Sequence, residues 1–403
     1  MNDAKLAARP AHVDPALVLD FDFWQPGPPG ADPFLAWTSA LQGKPPLVWT
    51  PRNGGHWLVT RGEDVPKIMS DHQRFSSKRI TIGLEGIPRG VPLEQDPPDH
   101  GPLRKLLMPA FTPRAVRGWA DEAQTLAIEL IEDLRAKGSC EFMRDFATQL
   151  PIIVFLKIMD LPLEHRPMLL EWFEAYVRSS DSETRLRGGE RMHAYVVDLV
   201  ERRLREPGSD VLSQALHAEL GDGKRMSYEQ GLGMAHTLLG GGLDTVAATM
   251  GWIAMFLAQN PEHRRALAED PRRIPRAIDE FVRRYSVANV ARVIRNDMDY
   301  EGTSLKAEER ILMGTCIHGL DPDCFPDPLR VDFDRSDAYR NSNFSHGIHR
   351  CIGQVLAVQE IRIFIEQWLT RIGEFSLDPG VPPVMVTGVV HGLNQLGLRW
   401  STH

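Results

Sequence analysis

Cys351 stands in the run Phe344-Ser345-His346-Gly347-Ile348-His349-Arg350-Cys351-Ile352-Gly353, directly ahead of a helical pattern. A cysteine binds metal as its thiolate, and nearby cations together with a helix N-terminus stabilise that anion. His349 and Arg350 supply the positive charge. The pattern that follows reads as a helix over 352–368, whose first N–H groups can point at the sulfur. Gly347 and Gly353 allow the backbone conformations and close approach that a flat macrocycle needs. The competing reading of Cys351 is an ordinary buried thiol, the common fate of a free cysteine. A second chemical run is Leu239-Gly240-Gly241-Gly242-Leu243-Asp244-Thr245. A hydroxyl beside a carboxylate is a proton-handling pair. Each helix-interior glycine costs about 1 kcal/mol relative to alanine. Three in a row, followed by β-branched Thr245 and Val246, make a weak point that a sequence seldom carries without compensation. Neither a preceding strand nor a following Lys-Ser/Thr supports a phosphate cradle. Close helix packing is the remaining structural alternative.

The elements that must position these runs are mostly helical. Ser227-Tyr228-Glu229-Gln230 is a capping box, and the helix that it opens extends to about residue 258, ahead of Asn260-Pro261. Further helical patterns cover 64–71, 103–108, 115–135, 149–159, 164–177, 182–204, 211–219, 262–268 and 275–285. Strands are expected at 48–50 and 56–60 around Arg52-Asn53-Gly54-Gly55, and at 291–295, 309–313, 384–390 and 395–400. Residues 80–95 form a glycine-containing loop without periodicity, a type of segment that is often functional. With no linker, repeat or low-complexity stretch, the expectation is one mainly α domain over 1–403 with a small β part, preceded by an extended lead-in over 1–45.

The 403 residues carry a net charge of −8, which argues against nucleic acid as a main partner. The four cysteines, Cys140, Cys316, Cys324 and Cys351, are scattered without a CxxC pair, as suits a reducing cytoplasm rather than a disulfide framework. The first fifteen residues lack a signal-peptide pattern, and no run of eighteen apolar residues occurs, so a cytoplasmic protein without a membrane partner is expected.

The window 344–353 resembles the haem-ligand loop of the cytochrome P450 family, Phe-x-x-Gly-x-x-x-Cys-x-Gly, at all four fixed positions: Phe344, Gly347, Cys351 and Gly353. Gly241-Gly242-Leu243-Asp244-Thr245 is similar to that family's Gly-Gly-x-Asp/Glu-Thr segment. Glu280-Phe281-Val282-Arg283 is similar to its Glu-x-x-Arg, which joins a later arginine, here Arg335. The resemblance implies a mainly α fold with haem b between a long central helix and the cysteine loop. Cys351 would be the iron ligand, Thr245 and Asp244 the catalytic pair, and Glu280, Arg283 and Arg335 a structural triad. It places Arg292 and His349 at the haem propionates. Asp96-Pro97-Pro98-Asp99-His100-Gly101-Pro102-Leu103-Arg104 resembles the family's Asp-Pro-Pro-x-His-x-x-x-Arg, whose His and Arg also bind propionates. On an uninterrupted helix His100 and Arg104 share a face. If the helix instead starts at Pro102 as its first residue, Arg104 alone is placed.

The likeness spans nearly the whole chain and is strongest to the soluble, camphor-hydroxylating bacterial branch. It implies monooxygenation with dioxygen, fed by a [2Fe–2S] ferredoxin and its reductase, because no flavin or nicotinamide domain is present. Arg104, Lys105 and Arg350 are the expected docking charges. The pocket departs from that branch: 80–95 has no tyrosine for a ketone, Gly240 replaces a valine, Thr237 a leucine and Val290 an aspartate. Thr237, Gly240, Gly241, Ala288, Val290, Val389 and Val390 suit a compact hydrophobic ligand held by shape, such as a cyclic monoterpenoid or norisoprenoid other than camphor. The rival functions are a peroxide-driven peroxygenase, which the Asp244-Thr245 pair disfavours, and a non-catalytic haem sensor.

Overall fold

The computed structural model describes residues 6–83, 88–179, 181–221 and 223–402; residues 84–87 of the loop 80–95 lie outside the described residues. The chain packs as two compact units, Met1–Gly86 with Asp279–Cys351 and Met385–His391, and Ile87–Ile278 with Ile352–Val384 and Gly392–His403.

The first unit is built on a five-stranded sheet. In spatial order its strands are Leu47–Thr50, His56–Val59, Arg310–Gly314, Asn289–Ile294 and Phe75–Ser76. The hairpin expected around Asn53-Gly54 forms with Trp49 opposite Trp57. Asn53 and Gly54 take the left-handed conformations that such a tight turn demands. Arg310–Gly314 pairs in parallel with His56–Val59, and Asn289–Ile294 pairs antiparallel with Arg310–Gly314, which puts Arg292 opposite Ile311. Most of these strand residues are buried, and Phe34, Trp37, Trp57, Phe75 and Phe281 fill the core of the unit.

The second unit is helical. Helix Gln354–Arg371 packs on Pro113–Arg135 and on Thr245–Gln259. Phe142, Phe146, Phe364 and Trp368 interlock there with ring centroids 5.0–6.1 Å apart. The capping box at Ser227 and Gln230 is present, with both reciprocal hydrogen bonds made. The helix that it opens is not continuous. It ends as Tyr228–Leu243, and a second helix, Thr245–Gln259, restarts after Asp244. The run Tyr228–Gln259 is long and apolar enough to cross a membrane by length and composition alone, and 71% of its most apolar window is buried inside the protein.

Several boundaries differ from expectation. The helix after the cysteine starts at Gln354 rather than 352, with Gly353 as its N-cap. The strand expected over 384–390 is confined to Val384–Val386, and the stretch beyond it is a turn locked by side chains. Short strands at Ser139–Glu141, Met298–Tyr300, Thr303–Leu305 and Phe375–Leu377 carry too few residues to show a period.

Candidate functional site

In the first unit the loop ahead of Cys351 is pinned from below. Gly347 has φ +67, and a Cβ there would stand 2.8 Å from the Cα of Ser70, so the helix Asp64–Ser70 sits directly against it. Cys351 N–H donates to the Phe344 carbonyl at 2.9 Å and Arg350 N–H to the Gly347 carbonyl at 3.2 Å, closing the loop into a rigid turn. Ser342 links the rings of His318 and His346, at 2.7 and 2.9 Å. Of the four cysteines Cys351 alone is exposed. Burial pushes the Cys316 thiol up to about 12 and Cys324 up to about 11, and holds Cys140 still higher, so these three are locked as thiols at neutral pH.

The same unit carries other expected residues. Arg292 lies in the sheet and is 2% exposed, its Nη1 donating to the Ala291 carbonyl at 2.9 Å. His349 is buried two residues before the cysteine. Ala288 bridges Val390, and Ala288, Val290, Val389 and Val390 are all half-buried rather than packed away. Glu280 and Arg283 lie one turn apart on Ile274–Arg284 and form a two-point ion pair, at 2.7 and 2.8 Å, with both side chains fully buried. Arg335 adds a third contact to Glu280 at 3.2 Å. Arg283 also donates to the carbonyls of Gly319, Pro328 and Arg330, so the buried charge is fully hydrogen-bonded. A Glu–Arg pair at this spacing is usually solvated in isolation; only the surrounding segments bury it.

In the second unit the glycine run opens onto space: a Cβ built on Gly240, Gly241 or Gly242 would meet nothing within 4 Å. Asp244 is buried at the break between the two helices. The Thr245 hydroxyl donates to the Gly241 carbonyl at 3.3 Å across that break, and Thr249 repeats the motif one turn later onto the Thr245 carbonyl at 2.8 Å. The helix carrying Arg104 is His100–Leu107, which begins two residues before Pro102. Pro102 is its third residue, where an N–H has no intrahelical partner to lose. The proline is therefore compatible with the helix, and His100 and Arg104 sit one turn apart on one face.

Thr237, counted above among pocket residues, faces the segment that follows residue 87. Its hydroxyl donates to the Gly233 carbonyl at 3.0 Å, and a Cβ on Gly90 would stand 2.8 Å from it. Gly233 was not singled out in the sequence. A Cβ there would be 2.3 Å from the Arg89 carbonyl oxygen, and the Gly233 carbonyl accepts from Val91 N–H at 3.1 Å. An interior helix glycine, costly by itself, was the available signal.

Each unit offers features that suit a haem: the first an exposed sulfur on a rigid turn and a buried guanidinium, the second a glycine run with open space beside it. The cytochrome P450 family model matches residues 156–390, more than half of the chain. The chain belongs to the cytochrome P450 family. It is 32% identical to "Probable cytochrome P450 127A1" of Sinorhizobium fredii, over 97% of both chains. It is 30% identical to "Vitamin D(3) 25-hydroxylase" of Pseudonocardia autotrophica, over 93% of this chain and 94% of that one. Among solved structures it is similar to cytochrome P450 CYP101C1, with TM-score 0.89 and 36% identity over 98% of this chain and all of that one. CYP101J2 gives a TM-score of 0.88 and 34% identity, with the same coverage. This cytochrome P450 is thus a monooxygenase that uses haem b. When bound, the haem supplies the activation of dioxygen that places one oxygen atom in substrate and releases the other as water.

Proposed function

We propose that this cytochrome P450 hydroxylates a compact hydrophobic substrate, a cyclic monoterpenoid or norisoprenoid other than camphor, in the cytoplasm with electrons from a [2Fe–2S] ferredoxin and its reductase. The observation that carries the substrate reading is the open glycine surface of Gly240, Gly241 and Gly242. Glycines there leave room for a ligand, and in the proposed site the small or apolar Ala288, Val290, Val389 and Val390 are its other lining residues. Such a site selects by shape and offers few hydrogen bonds to orient a ketone. The experiment is a panel of terpenoids read by the spin-state shift of the ferric protein, followed by product identification. Cyclic terpenoids other than camphor bind most tightly and yield hydroxylated products; tightest binding by camphor overturns the reading.

In this proposal Cys351 is the iron ligand, with Phe344 and Gly353 shaping its turn. Arg292, His349, Arg104 and His100 hold the propionates. Arg104, Lys105 and Arg350 meet the acidic ferredoxin, where electrostatics set the encounter rate. Thr245 and Asp244 handle protons. Asp244 is buried at a helix break and Thr245 keeps its hydroxyl on a weak, 3.3 Å bond to a backbone carbonyl, so the hydroxyl can turn to another acceptor at little cost. Thr245→Ala removes the hydroxyl and leaves the fold. Product per electron pair falls by about 10-fold or more while reductant consumption continues, because general acid–base groups contribute roughly 100-fold or more to such steps. Simultaneous measurement of reductant, peroxide and product checks this. Undiminished coupling removes Thr245 from proton delivery, and turnover with peroxide but not with reductant favours a peroxygenase.

A further inference from the structure

The turn 387–391 is held by a directed chain of side chains, of which Asn289 and His391 are buried and Thr387 half-buried. Asn289, the first residue of strand Asn289–Ile294, uses its amide Nδ2 twice: toward the Gly388 carbonyl at 2.6 Å and toward His391 Nε2 at 3.3 Å. An amide nitrogen can only donate, so His391 Nε2 must be the bare acceptor. The neutral ring then carries its proton on Nδ1, which lies 2.8 Å from Thr387 Oγ1. Thr387 accepts that proton and spends its own on the Phe23 carbonyl at 3.2 Å. Every donor from Asn289 through His391 and Thr387 to Phe23 has one direction, and that fixes the tautomer of His391.

Backbone and packing contacts add to this. Asn289 N–H donates to the Val389 carbonyl at 2.9 Å and His391 N–H to the Val287 carbonyl at 2.8 Å. The His391 ring meets Phe34 and Trp37 edge-on at 5.3 and 5.8 Å. Gly388 has φ +153, and a Cβ there would lie 2.4 Å from the Trp24 ring, so the turn fits only as glycine. What this chain fixes is the stretch between its ends, Val389 and Val390, with Ala288 bridged beside them.

We propose that Asn289 and His391 are positioning residues for regioselectivity: by locking Val389, Val390 and Ala288 as one rigid wall, they decide which C–H bond of the substrate is presented for oxidation. A polar chain inside a core specifies one arrangement where apolar packing tolerates several. This rests on the reading above that Ala288 and Val390 line the substrate pocket.

The test is the product ratio from one substrate, chosen as the tightest binder of the terpenoid panel, using reconstituted holoenzyme. Asn289→Asp keeps the shape but cannot donate to His391 Nε2 or to the Gly388 carbonyl. His391→Phe keeps a ring against Phe34 and Trp37 and deletes both nitrogens. Both variants retain haem content and the thiolate spectrum, while the ratio of hydroxylated isomers shifts several-fold and coupling falls. His391→Gln, which can restore an acceptor for Asn289, returns the ratio toward that of the unsubstituted enzyme. Val390→Ala, which alters the wall itself, is the control. A product ratio unchanged in Asn289→Asp and His391→Phe but shifted by Val390→Ala overturns the positioning role and leaves the pocket reading intact. A ratio unchanged in all three removes the pocket reading and the positioning role with it. If the substituted core does not fold, Thr387→Val cuts the half-buried end of the same chain and is judged by the same ratio.

Discussion

Cys351→Ser yields a protein whose ferrous carbonyl complex has lost its thiolate signature and whose monooxygenase turnover has fallen to background. The reason is the donor, not the fold. Serine fits the same turn, because Cys351 contributes its N–H to the Phe344 carbonyl through the backbone and its side chain is exposed. An alcohol, however, is not an anion at neutral pH, whereas a thiol next to cations readily becomes one. The thiolate also pushes electron density toward the metal, the lever by which this family favours O–O cleavage, and a neutral oxygen ligand does not. Serine at Cys140, Cys316 or Cys324 leaves the spectrum intact, since burial keeps those three as thiols. An unchanged carbonyl spectrum in Cys351→Ser refutes the ligand assignment.

Stability peaks near pH 6.5–7 and drops steeply on acidification. His56, His318 and His391 are buried and His236 is half-buried, and desolvation is the main cause that lowers His56, His236, His318 and His391 to about 3, 4, 4 and 3, respectively. For His236 the parallel ring of His193, with a ring nitrogen 3.0 Å away, adds to the effect. An unfolded histidine binds its proton near 6.5. Above that value these groups are neutral in both states. Below it the unfolded chain takes up protons that the fold refuses, and stability is lost as pH falls toward each folded value. Glu360 works in the opposite sense. Burial raises it from 4.5 to about 8, so its contribution is complete below pH 4.5 and is lost as pH rises toward 8. Between 6.5 and about 4.5 these histidines outnumber the one carboxyl, so stability falls steeply as the pH drops. Between 6.5 and 8 Glu360 gives a shallower decline in the opposite direction. Denaturant unfolding of the holoenzyme from pH 5 to 8 at constant ionic strength measures both limbs; equal stability at pH 7 and pH 5.5 defeats the argument.

Much of this protein was legible as local chemistry. The cysteine turn, the capping box at Ser227, the Asn53-Gly54 hairpin and the glycine weak point ahead of Asp244 are each dictated by residues close together in sequence, where backbone freedom and helix propensity act directly. The weak point was visible, but it did not show that the helix would end and restart. Likewise Pro102 suggested a later helix start, because the rule against interior proline does not say where the first turn begins; Asp99 and His100 settle that through their own backbone bonds.

The sequence by itself marked the candidate chemistry: a cysteine loop and an adjacent carboxylate and hydroxyl, whose meaning depends on residue type and near spacing. The tertiary structure alone decided what the polar groups far apart in sequence do. Glu280 and Arg283, whose spacing by itself suits a solvated pair, are buried together with Arg335, because the segments around Gly319, Pro328 and Arg330 close over them and supply carbonyls. Asn289, Thr387 and His391 showed no pattern at all. The two bonds from Asn289 join positions about a hundred residues apart, and no local period encodes such a contact. Hydrogen-bond satisfaction in a buried space is a property of the assembled fold, so that is where the direction of the chain, and with it the shape of the turn 387–391, was set.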